Sequence, residues 1–522
     1  MGIPSYFSYI IRNHMLVLKP FLNFKQTNVV HNFYMDCNSV IYDCIRDLEK
    51  NSELKPGKKS DNFYRISSMV CSRIQSYIDN VKPSNIVFIA FDGVAPMAKM
   101  CQQRTRRYKS AFTEKIFGAS QFNSCYITPG TDFMNFLSNH VSKHFQNSKN
   151  IIVSSANEPG EGEHKLFQYI RENPSSHLGK NSVIYGLDAD LLMLSIFHSH
   201  LSNLFVYREA PEFAKSLNAN LKSGEPYVLN IAELCVSIAN EMNCTHNSPN
   251  RVYDYAFLCF MLGNDFLPHF PAINIRTTGI YSLLDAYKSC LGDRAEFIVN
   301  MRDNSIDWQN FGKIVKYLCK IEDSCFRNEY VKRGEIKLHR DPKLGNAFDE
   351  ASLNNAPLLF REKEHYINPT EHGWQQRYYK TLFGEPYCAN ISVNYLEGLE
   401  WVFKYYTDKC IDWHWKYEYN YPPLLEDLVH AIPKTNGIIS PMKITAPLHP
   451  HTQLCFVLPP IYIREILPKF PIEKYQKYYG FNGKFEWAFC RYFWEAHLLI
   501  EEEIPLSELL KIDAEHHSLK KA

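Results

Sequence analysis

In Ser182-Val-Ile-Tyr-Gly-Leu-Asp-Ala-Asp190 a short, β-rich apolar run stops at two acids, and this stretch decides the fold. The same arrangement recurs along the first half of the chain. Val29 to Met35 stops at Asp36, Asn85 to Phe91 stops at Asp92, and Ile151 to Ser154 leads into Pro159-Gly-Glu-Gly-Glu-His164, which carries Glu161 and Glu163. Amphipathic helical patterns such as Ile66 to Val81 lie between these runs. Strand-length runs alternating with helical patterns predict βαβ units around a parallel sheet, an α/β fold. In such a sheet the carboxyl ends of neighbouring strands share one edge, where ligands bind. Asp265, after the apolar run Phe257-Leu-Cys-Phe-Met-Leu-Gly-Asn264, is read in the same way. Asp36, Asp92, Glu161, Glu163, Asp188, Asp190 and Asp265 are therefore predicted to converge.

Uncompensated, such a cluster is costly: two unit charges 4 Å apart repel by about 4 kcal/mol at an effective dielectric near 20. A divalent cation removes the difficulty, and an all-oxygen ligand set favours a hard ion, Mg²⁺ with Mn²⁺ as a substitute. The i, i+2 pairs Glu161/Glu163 and Asp188/Asp190 fit this reading, because alternate residues of an extended segment point the same way. Two ions a few ångströms apart form the clamp used in phosphodiester hydrolysis. A single Asp after a strand is ordinarily a helix cap or turn residue. Seven acids placed alike exceed what capping explains.

Lys99-Met-Cys-Gln-Gln-Arg-Thr-Arg-Arg-Tyr-Lys109 carries five basic residues and no acid, and begins seven residues after Asp92. Pro96 suits the first turn of a helix. Lys99, Gln103, Arg106 and Arg107 then share one face, and Arg104 falls off it. Such a face suits a terminal phosphate, since forked Arg donors bind two oxygens at once. The plainer reading is a solvated basic helix surface. Aromatic residues make up 14% of the chain, so most belong to the core. Tyr42, six residues after Asp36, and Trp413 or Trp415 are better placed to stack on bases.

Composition narrows the alternatives. At 522 residues the chain exceeds a single ordinary core, and 45% apolar against 22% charged residues is globular usage. No run approaches the roughly 18 apolar residues of a membrane span. The opening Met-Gly-Ile-Pro-Ser-Tyr6 lacks the features of a signal peptide, so an intracellular protein is expected, cytoplasmic rather than nuclear. Fifteen cysteines with no C-x-x-C pair and no His-rich cluster indicate neither a disulfide framework nor a zinc site. A net charge of +1 denies any global attraction for polyanions, so phosphates would have to be met locally. The pattern loosens from Arg276 to about Gly373, with the polar stretch Arg327 to Glu350 expected as a long loop or junction. The division is thus 1–275, a connecting segment 276–372, and an aromatic-rich segment 373–522, mostly helical with a proline-rich interruption.

Several segments, taken in order, closely resemble the XRN family of 5′→3′ exoribonucleases. They are Met1-Gly-Ile-Pro-Ser-Tyr-Phe7, Tyr34-Met-Asp-Cys-Asn-Ser39, the stretch from Phe91 to Arg107, Ile127-Thr-Pro-Gly-Thr-Asp-Phe-Met134, Pro159 to Lys165, Tyr185 to Leu194, and Leu262-Gly-Asn-Asp-Phe-Leu-Pro268. The match fades to about 373 and returns at Tyr395-Leu-Glu-Gly-Leu-Glu-Trp-Val402 and Cys410-Ile-Asp-Trp-His-Trp415. The resemblance implies a Rossmann-like nuclease core of the PIN and flap-endonuclease type, with the C-terminal segment completing its pocket. It implies that the seven acids hold Mg²⁺ and that Lys99, Gln103, Arg106 and Arg107 bind a 5′-monophosphate. It also implies that Tyr42, where a His is usual, pairs with one of Trp413 and Trp415, more naturally Trp415, to grip the first base. The implied activity is processive decay of 5′-monophosphorylated single-stranded RNA, including mRNA, to nucleoside 5′-monophosphates, by a monomer. Met97 and Cys101 depart from the usual Arg and Asn. The chain is expected to be a compact catalytic core of the sort a viral or reduced genome encodes. Two competing readings are a flap-endonuclease-like DNA nuclease, against which no helix-hairpin-helix glycine pattern is evident, and a catalytically silent RNA-binding scaffold.

Overall fold

The computed structural model of the chain describes all residues except 1, 56, 119, 211–220, 337–349, 438, 440–442 and 520–522. Its centre is a seven-stranded sheet of β1 (Leu18–Pro20), β2 (Asn32–Asp36), β3 (Ile86–Ala90), β4 (Ile151–Ser154), β5 (Asn181–Tyr185), β6 (Asn203–Glu209) and β7 (Pro226–Asn230). The spatial order is β1-β7-β6-β5-β2-β3-β4. β4, β3, β2, β5 and β6 are mutually parallel, while β7 and β1 close one side antiparallel. The parallel α/β core is therefore present, and each of the four expected runs is a strand.

Strand side chains alternate between two cores, as a sheet covered on both faces requires. Tyr34, Phe88, Ile184, Leu204 and Val206 belong to one buried cluster, and Phe33, Met35, Val87, Ile89, Val183 and Phe205 to the other. The second face is covered by helices Asn38–Lys50, Lys59–Val81 and Asp132–Phe145. The first face is covered by Gly162–Glu172, Asp190–Phe197 and Ile231–Met242, and the same cluster continues through Phe257, Phe311, Leu399, Val402 and Leu425. One core thus runs from the N-terminal residues into the last third of the chain.

The chain leaves β2 for β3 and β4 on one side, then returns to place β5 and β6 on the other. The connection reverses direction between β2 and β5, and their carboxyl ends open the crevice where α/β sheets bind ligands.

Two expectations change. Phe257 to Leu262 is not a strand but the end of helix Arg251–Cys259 followed by a 3₁₀ turn, Phe260–Leu262. Helix Trp308–Glu335 runs into the stretch expected as a loop, so Arg327 to Glu335 is helical. Residues 337–349 of that stretch lie outside the described residues. Arg333, the least loop-like of its polar residues, is buried in an ion pair with Glu364. Among the described residues no helix is long and apolar enough to cross a membrane, and all fifteen cysteines are free.

Candidate active site

The acids reach the crevice by five local routes. Asp36 is the last residue of β2, and Asp92 follows β3 by two residues. Glu161 is the N-cap of helix Gly162–Glu172, with Glu163 in its first turn; Asp190 opens helix Asp190–Phe197, with Asp188 just before it. These pairs straddle helix starts instead of lying along extended segments, so the i, i+2 argument does not apply to them; Glu163 and Asp190 instead sit in the first turn, at the positive end of a helix dipole. Asp265 arrives from the 3₁₀ turn after Cys259, across the crevice from the strands.

Close contacts join them. Asp92 Oδ1 accepts the Gly162 N–H at 2.7 Å, and its own N–H donates to Asn38 Oδ1 at 3.1 Å. The Asn38 amide also donates to Asp92 Oδ2. Gly162 has no room for a side chain: a Cβ there would stand 2.7 Å from Asp36 Oδ1 and 3.4 Å from Asp92 Oδ1. Gly2, with φ of +54°, packs as closely on Asp190. The Tyr405 hydroxyl donates to Glu161 Oε1 at 3.0 Å, and Tyr406 lies beside Asp190, which raises its hydroxyl pKa after burial.

The charges are poorly compensated. Burial, then Asp92 and Asp188, pushes the Asp36 carboxyl well above its ordinary range; burial and then Asp190 does the same to Glu163. Asp190 is pushed up to about 7 by burial and then Asp265. Glu161 is raised by burial against the pull of Lys99. Burial by itself would lower Lys99 and raise Asp265, but their contact at 2.7 Å reverses both signs, holding the ammonium high and the carboxyl low. Lys99 also pairs with Glu161, so one ammonium answers two carboxylates. Among the described residues, Asp36 Oδ1 and Asp190 Oδ1 are buried without a hydrogen-bond partner. Buried charge normally finds a partner or a metal. Orphaned carboxylate oxygens beside a glycine cradle are therefore a fit for a hard divalent cation.

A cavity of about 290 Å³ opens beside the cluster. Asp36, Asp92, Glu161, Glu163 and Asp188 line one part of its wall, and Lys99, Gln103, Arg106, Arg107 and Tyr42 another. The four face residues belong to helix Met97–Phe117, whose N-cap is Pro96. They serve unequally. Lys99 is committed to the acids. Arg107 donates to the carbonyls of Ser124 at 3.1 Å and Ile127 at 2.9 Å and to Thr128 Oγ1 at 3.1 Å, so it also holds the opposite wall. Gln103 Oε1 accepts from Gln453 Nε2 at 3.4 Å, while Gln453 Oε1 accepts the Ala95 N–H at 2.9 Å. Arg106 alone of the four has neither ion pair nor hydrogen bond within the described protein. Arg104, off the face, is buried against Glu503 and the Tyr478 carbonyl.

Tyr42 stands in this cavity, but neither Trp413 nor Trp415 lines it. Trp415 stacks on Trp401 with centroids 5.2 Å apart and closes over Gly398, while the Trp413 carbonyl accepts the Met97 N–H at 2.8 Å and anchors the start of the basic helix. Asp190 and Asp265 also stand off this lining, Asp265 facing a second cavity of about 240 Å³ on the other flank of the helix. Met97 is core and Cys101 borders the second cavity. Sequence reasoning missed Asn38, Tyr405, Gly162 and Gln453. Asn38 has a signal, two residues beyond Asp36; Gln453 has none, because its role comes from packing.

The N-terminal family model, described as XRN 5′-3′ exonuclease N-terminus, matches residues 1–210. A second, described as Xrn1 helical domain, matches 245–365 and 360–472. Among curated proteins, the chain is 26% identical to the 5′-3′ exoribonuclease 2 homolog of Drosophila melanogaster, with 88% of this chain and 64% of that protein aligned. It is 26% identical to 5′-3′ exoribonuclease 1 of Homo sapiens, covering 88% of this chain and 30% of the relative. For 5′-3′ exoribonuclease 1 of Saccharomyces cerevisiae the figures are 25%, 88% and 39%. The chain thus spans about a third to two thirds of the length of these relatives. Matches over residues 1–210 and 245–472, which take in six of the seven strands, the acids and the basic helix described above, place the chain in the XRN family of 5′-3′ exonucleases.

Proposed function

We propose that the protein is a divalent-metal-dependent 5′→3′ exoribonuclease that removes nucleoside 5′-monophosphates from 5′-monophosphorylated single-stranded RNA. The observation that carries this reading is the single cavity of about 290 Å³ walled by carboxylates on one part and by the Gln103, Arg106 and Arg107 face on another. It has the chemistry to fix a terminal phosphate while the next phosphodiester meets the acids. Relatives covering 88% of the chain are named 5′-3′ exoribonucleases, which supports both polarity and substrate class.

Asp36, Asp92, Glu161, Glu163, Asp188, Asp190 and Asp265 would hold Mg²⁺. The bound cation supplies the counter-charge this cluster needs and the Lewis acidity of phosphodiester hydrolysis. The chain's own groups do the rest. Arg106, with uncommitted donors, binds the 5′-phosphate; the Gln103 amide, its oxygen held by Gln453, turns its N–H₂ toward the same anion; Arg107 keeps the wall at Ser124 to Thr128 closed behind it. Tyr42 offers a ring to the leading base. Lys99 keeps Glu161 and Asp265 charged and in place. Progressive threading after each cut gives processive decay of RNA, mRNA among it.

One digestion tests the reading. End-labelled RNA bearing a 5′-monophosphate, triphosphate or hydroxyl is incubated with the protein in Mg²⁺ and then in EDTA, beside DNA of the same sequence. Rapid, Mg²⁺-dependent release of mononucleotides from the monophosphate RNA alone is expected. Preference for the DNA would favour a flap-endonuclease-like enzyme, and no release from any substrate would favour a scaffold.

A further inference from the structure

His449 and His451 flank Pro450 at the start of helix Pro450–Val457, and His516 lies far along the chain in helix Leu506–Leu519. No spacing rule connects them, and the sequence indicates no zinc site. The fold brings them together: one ring nitrogen of each lies within 4.8 Å of the others. The ring centroids are 5.1, 5.2 and 5.4 Å apart, and all three side chains are half-buried. We propose that His449, His451 and His516 form a three-imidazole site for a transition-metal ion, Zn²⁺ by choice of ligand.

The ligand chemistry separates this site from the acid cluster. Neutral imidazole suits zinc, copper and nickel, whereas carboxylate oxygens suit magnesium and manganese. Three protein nitrogens leave a fourth tetrahedral position for water, and half-burial leaves a path to solvent. The backbone is fixed before any ion arrives. Asp513 Oδ1, one turn before His516, accepts the His449 N–H at 2.6 Å and the Thr452 hydroxyl at 2.8 Å, tying the two helices together at the site. His449 Nδ1 accepts the His451 N–H at 3.2 Å, which puts the ring proton on Nε2 in the metal-free chain. Ligation through Nε2 moves that proton to Nδ1 and releases the contact, and ligation through Nδ1 releases it directly. Either way one neutral hydrogen bond gives way to a metal–nitrogen bond, and the ring keeps its single proton.

The consequence is structural. The ion would staple helix Leu506–Leu519 to the helix that carries Gln453, whose amide reaches Gln103 in the cavity of about 290 Å³. The site is independent of the proposed nuclease reading, since none of its three residues lines either cavity.

The test uses the full chain, stripped with EDTA and held in excess Mg²⁺ so that the acid cluster is answered. Zinc is titrated calorimetrically into the wild type, into His516→Asn, and into His451→Asn/His516→Asn, with circular dichroism confirming that each is folded. The wild type is expected to bind one equivalent of zinc more than the double variant, and His516→Asn to lose that equivalent too. Co²⁺ in place of zinc is expected to give visible bands of a low-coordinate nitrogen site, absent from both variants. Equal zinc stoichiometry in all three proteins, or an unchanged Co²⁺ spectrum, would overturn the site. RNA digestion by the same variants is expected to persist, so failure of the zinc site and failure of the nuclease reading are told apart.

Discussion

At Gly162 the helix start passes so close to Asp36 that a methyl group would meet Oδ1 at 2.7 Å, tighter than real Cβ contacts. Gly162→Ala must push Asp36 or the helix start aside, while the rest of the helix remains an ordinary amphipathic segment. The expected result is a near-native circular dichroism spectrum with kcat lowered by about a hundredfold, the scale at which a small misplacement of reacting groups costs rate; near-normal kcat would show that Asp36 has no fixed position to protect. Gln453 is a second case. It is completely buried, and the Ala95 N–H holds its oxygen so that its N–H₂ faces Gln103. That leaves Gln103 to offer donors to the cavity. Gln453→Met keeps the volume but loses both contacts and strands the Ala95 N–H, at a cost of about 1–3 kcal/mol in stability. The ratio of kcat/KM for 5′-monophosphate over 5′-hydroxyl RNA is expected to fall roughly tenfold, as losing a hydrogen bond to a charged group implies. An unchanged ratio with reduced stability would mean that Gln453 merely fills space.

At the scale of elements, legibility follows how local the cause is. Asp36, Asp92 and Asp188 could be placed from sequence because their strands are short, apolar and bounded, and a parallel sheet aligns such ends by itself. Asp265 comes to the same place from a helix, since an apolar run of eight residues buried all round reads alike as strand or helix. The basic face was legible from helical spacing, but not its division of labour, because the partners of Lys99 and Arg107 lie on other elements. The three histidines were illegible for the same reason. Helix Trp308–Glu335 supplies a further element-level contact. Its Glu322 accepts the N–H groups of Leu425 at 2.7 Å and Glu426 at 3.2 Å, capping helix Leu425–Ala431 from across the interface. Burial pushes this carboxyl up to about 8, further raised by Asp427 and Glu426 and opposed by the two backbone bonds. A raised carboxyl stabilises the fold fully below its unfolded pKa of about 4.3 and loses that contribution as pH climbs through the folded value. In saturating Mg²⁺, this group's contribution to Tm is therefore expected to fall between about pH 4 and pH 8 and to level off above. Glu322→Gln, which loses one cap bond worth about 1 kcal/mol, should be less stable near pH 6 but show a shallower decline. Parallel curves for the two proteins would mean that Glu322 does not titrate in this range.

For the molecule as a whole, the sequence divides at about residue 275 but the packing does not. Tyr405 stacks on His164 with centroids 3.7 Å apart, Phe403 meets Phe197 and Phe257 at 5.7 Å, and Tyr406 meets Phe260 at 5.1 Å. Trp401, almost fully buried, covers Phe266 at 5.2 Å. These four side chains come from helix Ala389–Thr407; Tyr405 also holds Glu161, and Tyr406 lies beside Asp190. The family segment after residue 373 is therefore half of a core and a wall of the acid cluster, not an appended domain. Stripping a large aromatic from a core costs about 3–5 kcal/mol, so losing four of them is comparable with the whole stability of about 5–15 kcal/mol that a folded protein has. A polypeptide of residues 1–275 is expected to show helix and strand in the far ultraviolet but no cooperative thermal transition, and to bind a dye for exposed apolar surface. A sharp transition near that of the full chain would mean that the sheet closes its first face without the C-terminal helix, and that the seven acids assemble from the first half alone. The intervening helix Trp308–Glu335 argues against that outcome: Trp308, Phe311, Ile314, Val315 and Leu318 all lie in the same buried cluster as Phe257 and Leu399, so the missing surface would be a continuous apolar wall and not a single patch.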